Sequence, residues 1–177
     1  MRAFLWCNGD LPSRKILSNF EEISPLFGVD GGGNKAKSLG FHVKEIFGDL
    51  DSVDNDNLET KMTLLKSQNI SDLTKTIVEL SKRGFTEFDI LGADGGDTGH
   101  MLGIWGSLAE LPVDLTIRLY HENSITHRIT SESGNFKINM EKERKFSIFA
   151  LSKCQNVYVK GAKWEIINEE LNLSTKG

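Results

Sequence analysis

The chain has 177 residues, 38% hydrophobic and 26% charged, with a formal net charge of -4, a balance that suits a globular protein of one medium domain, or one domain with a small appendage. No Lys/Arg run exceeds two residues, which argues against nucleic acid and membrane surfaces as partners.

At the amino end Ala3 to Cys7 forms an apolar run too short for a signal-peptide core or a bilayer span, so it reads as a buried strand. Cys7 and Cys154 lack the paired spacing of a metal knuckle or disulfide framework, and a reducing cytoplasm fits them. Pro12 suits the first turn of a helix running toward Phe20. "PLFGVD" predicts a second strand and "GGGNKAKSLG" a short helix stopped by Gly40. "KEIFGD" predicts a third strand, and "SDLTKTIVELSKRGF" a helix capped by Ser71 or Asp72 and stopped by Gly84. "FDILGAD" predicts a fourth strand and "HMLGIWGSLAELP" an apolar helix that ends before Pro112.

This strand, glycine turn, helix rhythm predicts a parallel sheet covered by helices, a three-layer α/β domain. After Pro112 come "DLTIRLY", "SITHRIT", "NFKINM", "KFSIFAL", "NVYVKG", "KWEII" and "LNLS", short segments rich in β-branched and aromatic residues. They predict a small antiparallel β-sandwich. The first of them can still belong to the α/β sheet, so the expected domains are 1–123 and 124–177.

Three predicted strands end in an Asp beside glycine. They are "VDGGGN" with Asp30 and Gly31 to Gly33, "GDLDS" with Asp49 and Asp51, and "GADGGDTGH" with Asp94 and Asp97. In a parallel sheet these turns share one edge, where ligands of such sheets bind. Asp49 and Asp51, one residue apart, project from the same face of an extended backbone. At about 5 Å and an effective dielectric of about 20 their repulsion is on the order of 3 kcal/mol, to be offset by water, a basic side chain or a divalent cation. Single aspartates commonly cap helices and shape turns. Two at i and i+2, with glycine turns on neighbouring strands, are more than capping requires. Glycine turns suit phosphate and carboxylates repel it, and a bridging cation reconciles the two. Hard oxygen donors without Cys or paired His favour Mg²⁺ over zinc. Neither GxxxxGK[ST] nor a GxGxxG after the first strand is present.

"VDGGGN", "GDLDS", "SQNISDLTKTIVEL" and "VKGAKW", in this order, resemble the thiamine pyrophosphokinase (thiamine diphosphokinase) family, whose motifs are DGGxN, GDxDS, QDxTDxxK, GGRxDH and GLKW or GLKY. Each motif alone is weak; four in order, over nearly the whole chain, are specific. The resemblance implies a Mg²⁺-dependent enzyme that transfers pyrophosphate from ATP to the thiamine hydroxyl, giving AMP and thiamine diphosphate. It implies Asp49, Asp51 and Asp72 as catalytic residues and metal ligands. It sets Asp30, Gly31, Gly32, Asn34 and Ser52 near the nucleotide, together with Lys75 and His100. Gln68 and Ser71 match positions beside thiamine, and Trp164 an aromatic that packs on its ring. Lys75 is either an exposed helix lysine or a point charge for phosphate, and Trp164 either a sandwich core residue or a platform for a cationic ring. The resemblance further implies a homodimer with active sites at the interface. Where the family has GGRxDH the chain reads "GGDTGH", with Asp97 in place of arginine and Gly99 in place of aspartate, and Asn69 stands where the family has Asp. Arg to Asp moves the local charge two units toward negative, which leaves two alternatives open: a different acceptor alcohol such as a pterin, or a noncatalytic nucleotide- or thiamine-binding homologue.

Overall fold

The computed structural model describes residues 1–49, 60–65 and 69–174. Among them Arg2–Trp6 (β1), Leu26–Val29 (β2), Glu45–Gly48 (β3), Lys61–Leu64 (β4), Glu87–Leu91 (β5), Thr116–Tyr120 (β6) and Ile125–Arg128 (β7) form one sheet, in the order β4-β3-β2-β1-β5-β6-β7. The first six strands pair in parallel and β7 runs antiparallel to β6. Four helices accompany them: Arg14–Leu17 (α1), Gly32–Ser38 (α2), Asp72–Lys82 (α3) and Thr98–Glu110 (α4).

The central strands are buried on both faces, which is why β1, β2 and β5 read as nearly continuous apolar runs. Alternation sends Phe4, Trp6, Leu26, Ile46 and Leu91 to one face, where they pack with Ile16, Ala36 and Val43. Phe27 stacks edge-on against Phe85 at 5.5 Å between ring centroids. Helix α3 buries Leu73, Ile77 and Leu80, a stripe at i, i+4 and i+7, and packs on β2 and β3. Ser71 caps its start, and Gly84, at φ +89°, supplies the left-handed turn that ends it.

Three local outcomes differ from the sequence reading. Helix α1 is a single turn, because the Asn19 amide donates to the carbonyls of Lys15 and Ile16 and closes it early. Strand β4, four residues at the sheet edge, was not among the predicted strands; Lys61 and Thr63 on it both reach Glu45 of β3. "SITHRIT" supplies β7, so the strand lies in the large sheet.

The chain divides into two compact units, Met1–Asn135 and Phe136–Gly177. The second carries an antiparallel pair, Cys154–Val159 (β8) and Ile166–Leu171 (β9). "NFKINM" and "KFSIFAL" form no strand, and Phe136, Ile138, Met140 and Phe146 are exposed. Alternation alone does not hold a strand that has no ladder partner and no apolar surface opposite. Among the described residues no helix is long and apolar enough to cross a membrane.

From central β1 the chain steps outward through β2, β3 and β4, and β5 returns to the other flank of β1. Connections therefore diverge beyond the carboxyl ends of β1 and β5, the place where open parallel sheets bind ligands.

Candidate active site

Asp30 follows β2 in a left-handed conformation, φ +50°, and its backbone N–H donates to the Phe47 carbonyl at 2.7 Å. Gly48 ends β3 directly beside it: a Cβ on Gly48 would stand 3.2 Å from both Cα and Cβ of Asp30. Asp49 is the next residue. The Gly48 carbonyl accepts from Leu65 N–H at 2.9 Å, and the Leu65 carbonyl accepts from Lys75 Nζ at 3.2 Å. Lys75 Nζ also pairs with Asp72 Oδ1 at 2.7 Å. A chain of direct contacts thus joins Asp30, Gly48–Asp49, Leu65, Lys75 and Asp72 along one edge of the sheet. The Lys75 side chain is only 9% exposed, and an ammonium so placed needs a carboxylate partner. Lys75 thus supplies a basic partner to Asp72. Asp51, Ser52 and Gln68, also expected at the site, lie outside the described residues.

Ser71 caps α3, its Oγ accepting from Thr74 N–H at 3.1 Å and bonding Ser107 Oγ at 2.6 Å. Its hydroxyl therefore fixes the helix start that carries Asp72.

In the "VDGGGN" turn, a Cβ on Gly32 would fall 2.1 Å from the Trp6 carbonyl oxygen, and one on Gly33 2.6 Å from the Ile46 side chain. The room these glycines make is taken up by α2 pressing onto β1 and β3. Gly31 lies against the Asn8 side chain, 2.7 Å from its amide nitrogen by the same measure. Asn34 is half-buried in the first turn of α2.

Asp97 is exposed and caps α4, its Oδ1 accepting from His100 N–H at 2.8 Å. The His100 ring lies over Gly96, and its buried Nε2 has no hydrogen-bond partner among the described residues. In the second unit Trp164 is 78% exposed, with Lys163 Nζ 4.6 Å above its ring. It is not a core residue of that unit.

Sequence reasoning passed over the end of β1, "CNGD", although it carries the same Asp-beside-glycine signature as the other three strand ends. Gly9 N–H donates to the Gly92 carbonyl at 2.8 Å and Asp10 N–H to the Asp94 carbonyl, stitching the β1 and β5 turns together. The Asp10 carboxylate is seated on Gly95, and Lys35 Nζ reaches the carbonyls of Asn8 and Gly9 at 2.7 and 2.6 Å. Just past β6, His121 Nδ1 bonds Asp94 Oδ1 at 2.5 Å and its Nε2 bonds Thr126 Oγ1 at 2.9 Å. Cys7 at the end of β1 is inert, since burial pushes its thiol up to about 12.

Among the described residues no three His, Cys, Asp or Glu side chains gather as a metal centre. Asp49 and Asp72 are nevertheless hard oxygen donors on turns joined through Leu65 and Lys75. Mg²⁺ characteristically takes one or two protein carboxylates and completes its shell with water and phosphate, so this donor set fits it.

A family model for the thiamin pyrophosphokinase catalytic domain matches residues 18–121, more than half of the chain. The search of curated proteins finds no match. Among solved structures, thiamine pyrophosphokinase from Bacillus subtilis is similar at 17% identity and TM-score 0.67, over 99% of this chain and 86% of that one. Thiamin pyrophosphokinase from Geobacillus thermodenitrificans is similar at 16% identity and TM-score 0.67, over 97% and 83%. A probable thiamine pyrophosphokinase from Staphylococcus saprophyticus is 25% identical at TM-score 0.55, over 69% of this chain and 66% of its own length. Residues 18–121 run from the end of α1 to His121, and so include the turns that carry Asp30, Asp49, Asp72 and Asp94. The family model covers more than half of the chain, and solved thiamin pyrophosphokinases share its fold: the chain belongs to the thiamin pyrophosphokinase family.

Proposed function

We propose that the protein transfers the pyrophosphoryl group of ATP to the hydroxyl of thiamine. The observation that carries this reading is the run of contacts from Asp30 through Gly48–Asp49 and Leu65 to the Lys75–Asp72 pair, in a chain whose catalytic-domain family is known. The hydroxyl oxygen of thiamine bonds to the β-phosphorus of ATP, and the bond from that phosphorus to the oxygen shared with the α-phosphate breaks. AMP leaves with that bond's electron pair, and the hydroxyl proton passes to water.

Such a step needs positioning and charge neutralisation more than covalent help from the protein. Asp49 and Asp72, with Asp51 from the same motif, would hold Mg²⁺, which when bound offsets the charge that builds on the phosphate oxygens. Lys75 orients Asp72 and sets a fixed positive charge beside the phosphates. Ser71 locks the first turn of α3, so Asp72 meets its partner without a reorganisation cost. Asp30 lines the same edge. In family terms Trp164 offers an aromatic face to the thiamine ring; the side chain is exposed, with Lys163 Nζ over one face. The same terms make a homodimer the expected assembly.

The test is AMP release from ATP with and without thiamine and Mg²⁺. AMP that depends on both supports the reaction. ATP binding with no thiamine-dependent AMP at high protein concentration would leave a binding protein in its place, and AMP formed only with another alcohol would change the acceptor.

A further inference from the structure

Beside Ile104 and Leu108, the apolar residues that α4 buries, it also buries Ser107, at 2% exposure. A serine there needs a reason, because alanine would favour the helix more and would bury no hydroxyl. Two contacts occupy that hydroxyl. Ser107 Oγ donates to the Gly103 carbonyl, one turn back, at 2.9 Å, a bond that helix serines commonly make. It also meets Ser71 Oγ of the α3 start at 2.6 Å. With its own proton on Gly103, Ser107 is the acceptor in that pair and Ser71 the donor. Ser71 keeps a lone pair for the Thr74 N–H that it caps at 3.1 Å. Each hydroxyl proton then has an acceptor, and the cap is held in one orientation.

A groove of about 380 Å³ runs beside this contact, with Asn69, Ile70 and Ser71 on one side and Gly103, Gly106 and Ser107 on the other. A Cβ on either glycine would meet nothing within 4 Å, so side-chain packing from those two positions does not brace the start of α3. Helix α4 is itself held at both ends. Asp97 caps its start, and Arg128 of β7 donates to the carbonyls of Leu108 and Pro112 at 2.6 and 2.8 Å, and to that of Leu111. Ser107 is thus a fixed post, to which Ser71 is tied immediately before Asp72. We infer that Ser107 is a positioning residue of the proposed site, holding through Ser71 the helix start from which Asp72 would serve MgATP. The inference rests on the proposed reaction and deepens it, adding a residue outside the motifs that carry the family resemblance.

Ser107→Ala should keep the melting temperature within about 2 °C of the parent, since alanine favours the helix and the Ser71 hydroxyl has Thr74 Oγ1 at 3.0 Å as another acceptor. MgATP affinity, read by calorimetry without thiamine, should fall about fivefold, the scale of one lost hydrogen bond. Thiamine-dependent AMP formation should fall by at least as much. Ser71→Ala should weaken MgATP as well, and adding Ser107→Ala to it should cost nothing further, because one residue acts through the other. Parental MgATP affinity in Ser107→Ala would overturn the inference, and so would losses that add in the double variant. A melting temperature lowered beyond that range together with the affinity would assign Ser107 to general packing and overturn it too. Because affinity is read without the acceptor, a parent that binds MgATP but forms no thiamine-dependent AMP removes the reaction while the role of Ser107 stands or falls on binding. A parent that binds no MgATP removes both.

Discussion

Asp97 accepts a 2.8 Å hydrogen bond from the backbone N–H of His100. The carboxylate that stands where the family carries arginine is engaged in starting a helix, and its charge lies at the end of α4 where the helix dipole favours an anion. Asp97→Ala should cost about 1 kcal/mol, read as a fall in melting temperature of about 2–4 °C for a chain of this size. Asp97→Asn should recover most of it, since asparagine caps as well as aspartate. An unchanged melting temperature in the alanine variant would show that this cap does not contribute.

The Asp30 N–H bonds the Phe47 carbonyl, and a methyl group on the next residue, Gly48, would have only 3.2 Å to Asp30 Cα and Cβ, at φ +155°. Gly48→Ala should therefore displace the β2 turn away from β3 and carry Asp30 out of register with Asp49. Thiamine-dependent AMP formation is expected to fall by more than tenfold, as small misplacements at reacting centres commonly cost, with the far-ultraviolet circular dichroism retained. Normal turnover would mean that the edge tolerates the shift.

Asp49→Asn and Asp72→Asn each remove a negative oxygen from the proposed phosphate edge. Each should lower turnover by about 100-fold or more, the scale on which removal of a positioned charge-stabilising group acts, and should reduce the extra thermal stability that MgATP confers on the protein. Asp72→Asn also loosens Lys75 from its 2.7 Å partner, so of the two it should lose more stability without ligand. Equal melting temperatures for the two unliganded variants would count against the ion pair.

Glu45, 3% exposed at the start of β3, meets Thr63 and Lys61 of β4 and Arg83 beyond α3. Burial by itself would raise its carboxyl; hydrogen bonds from Thr63, Arg83 and Lys61 outweigh burial and hold it below the ordinary glutamate value. A lowered folded value means the ionised form stabilises the fold above the ordinary glutamate pKa of about 4.3, and that stability is lost as the pH falls through the lowered value. Unfolding titrations in urea at pH 7 and at pH 3 should show Glu45→Gln destabilised relative to the parent at pH 7, with the gap narrowing at pH 3. A gap independent of pH would assign the loss to packing.

Asp89 is fully buried on β5 and takes Arg2 from β1 on one side and Arg118 from β6, at 3.0 Å, on the other. Asp89→Asn leaves two guanidinium groups facing each other across the sheet. The loss should approach 3 kcal/mol, the low end for breaking a buried pair because both arginines also reach water, measured as a lower denaturant midpoint. Arg118 keeps Glu87 at 3.0 Å, and restored stability on adding Arg118→Met to the variant would assign the cost to the guanidinium that lost its buried partner.

The α/β rhythm was legible in the sequence because it rests on local rules: apolar runs for strands buried on both faces, Ser71 as a cap, Gly40 and Gly84 as left-handed stops. Asp30 and Asp49 follow strands that the sequence predicts, and Asp72 opens a helix that it predicts. Hidden from it were relations made through space. Whether Gly32 and Gly33 make room for a ligand or for α2 depends on Trp6 and Ile46 of other strands. Sequence leaves Lys75 either a surface helix lysine or a point charge for phosphate, and only the structure shows it held by Leu65 and Asp72. His121 and Asp94, 27 residues apart, meet only because β5 and β6 lie side by side. The Ser71–Ser107 hydroxyl pair exists only where the start of α3 meets α4. Local sequence sets dihedral preference and periodicity; burial, charge pairing and the shape of a cavity depend on which distant strands become neighbours, and strand order decided those.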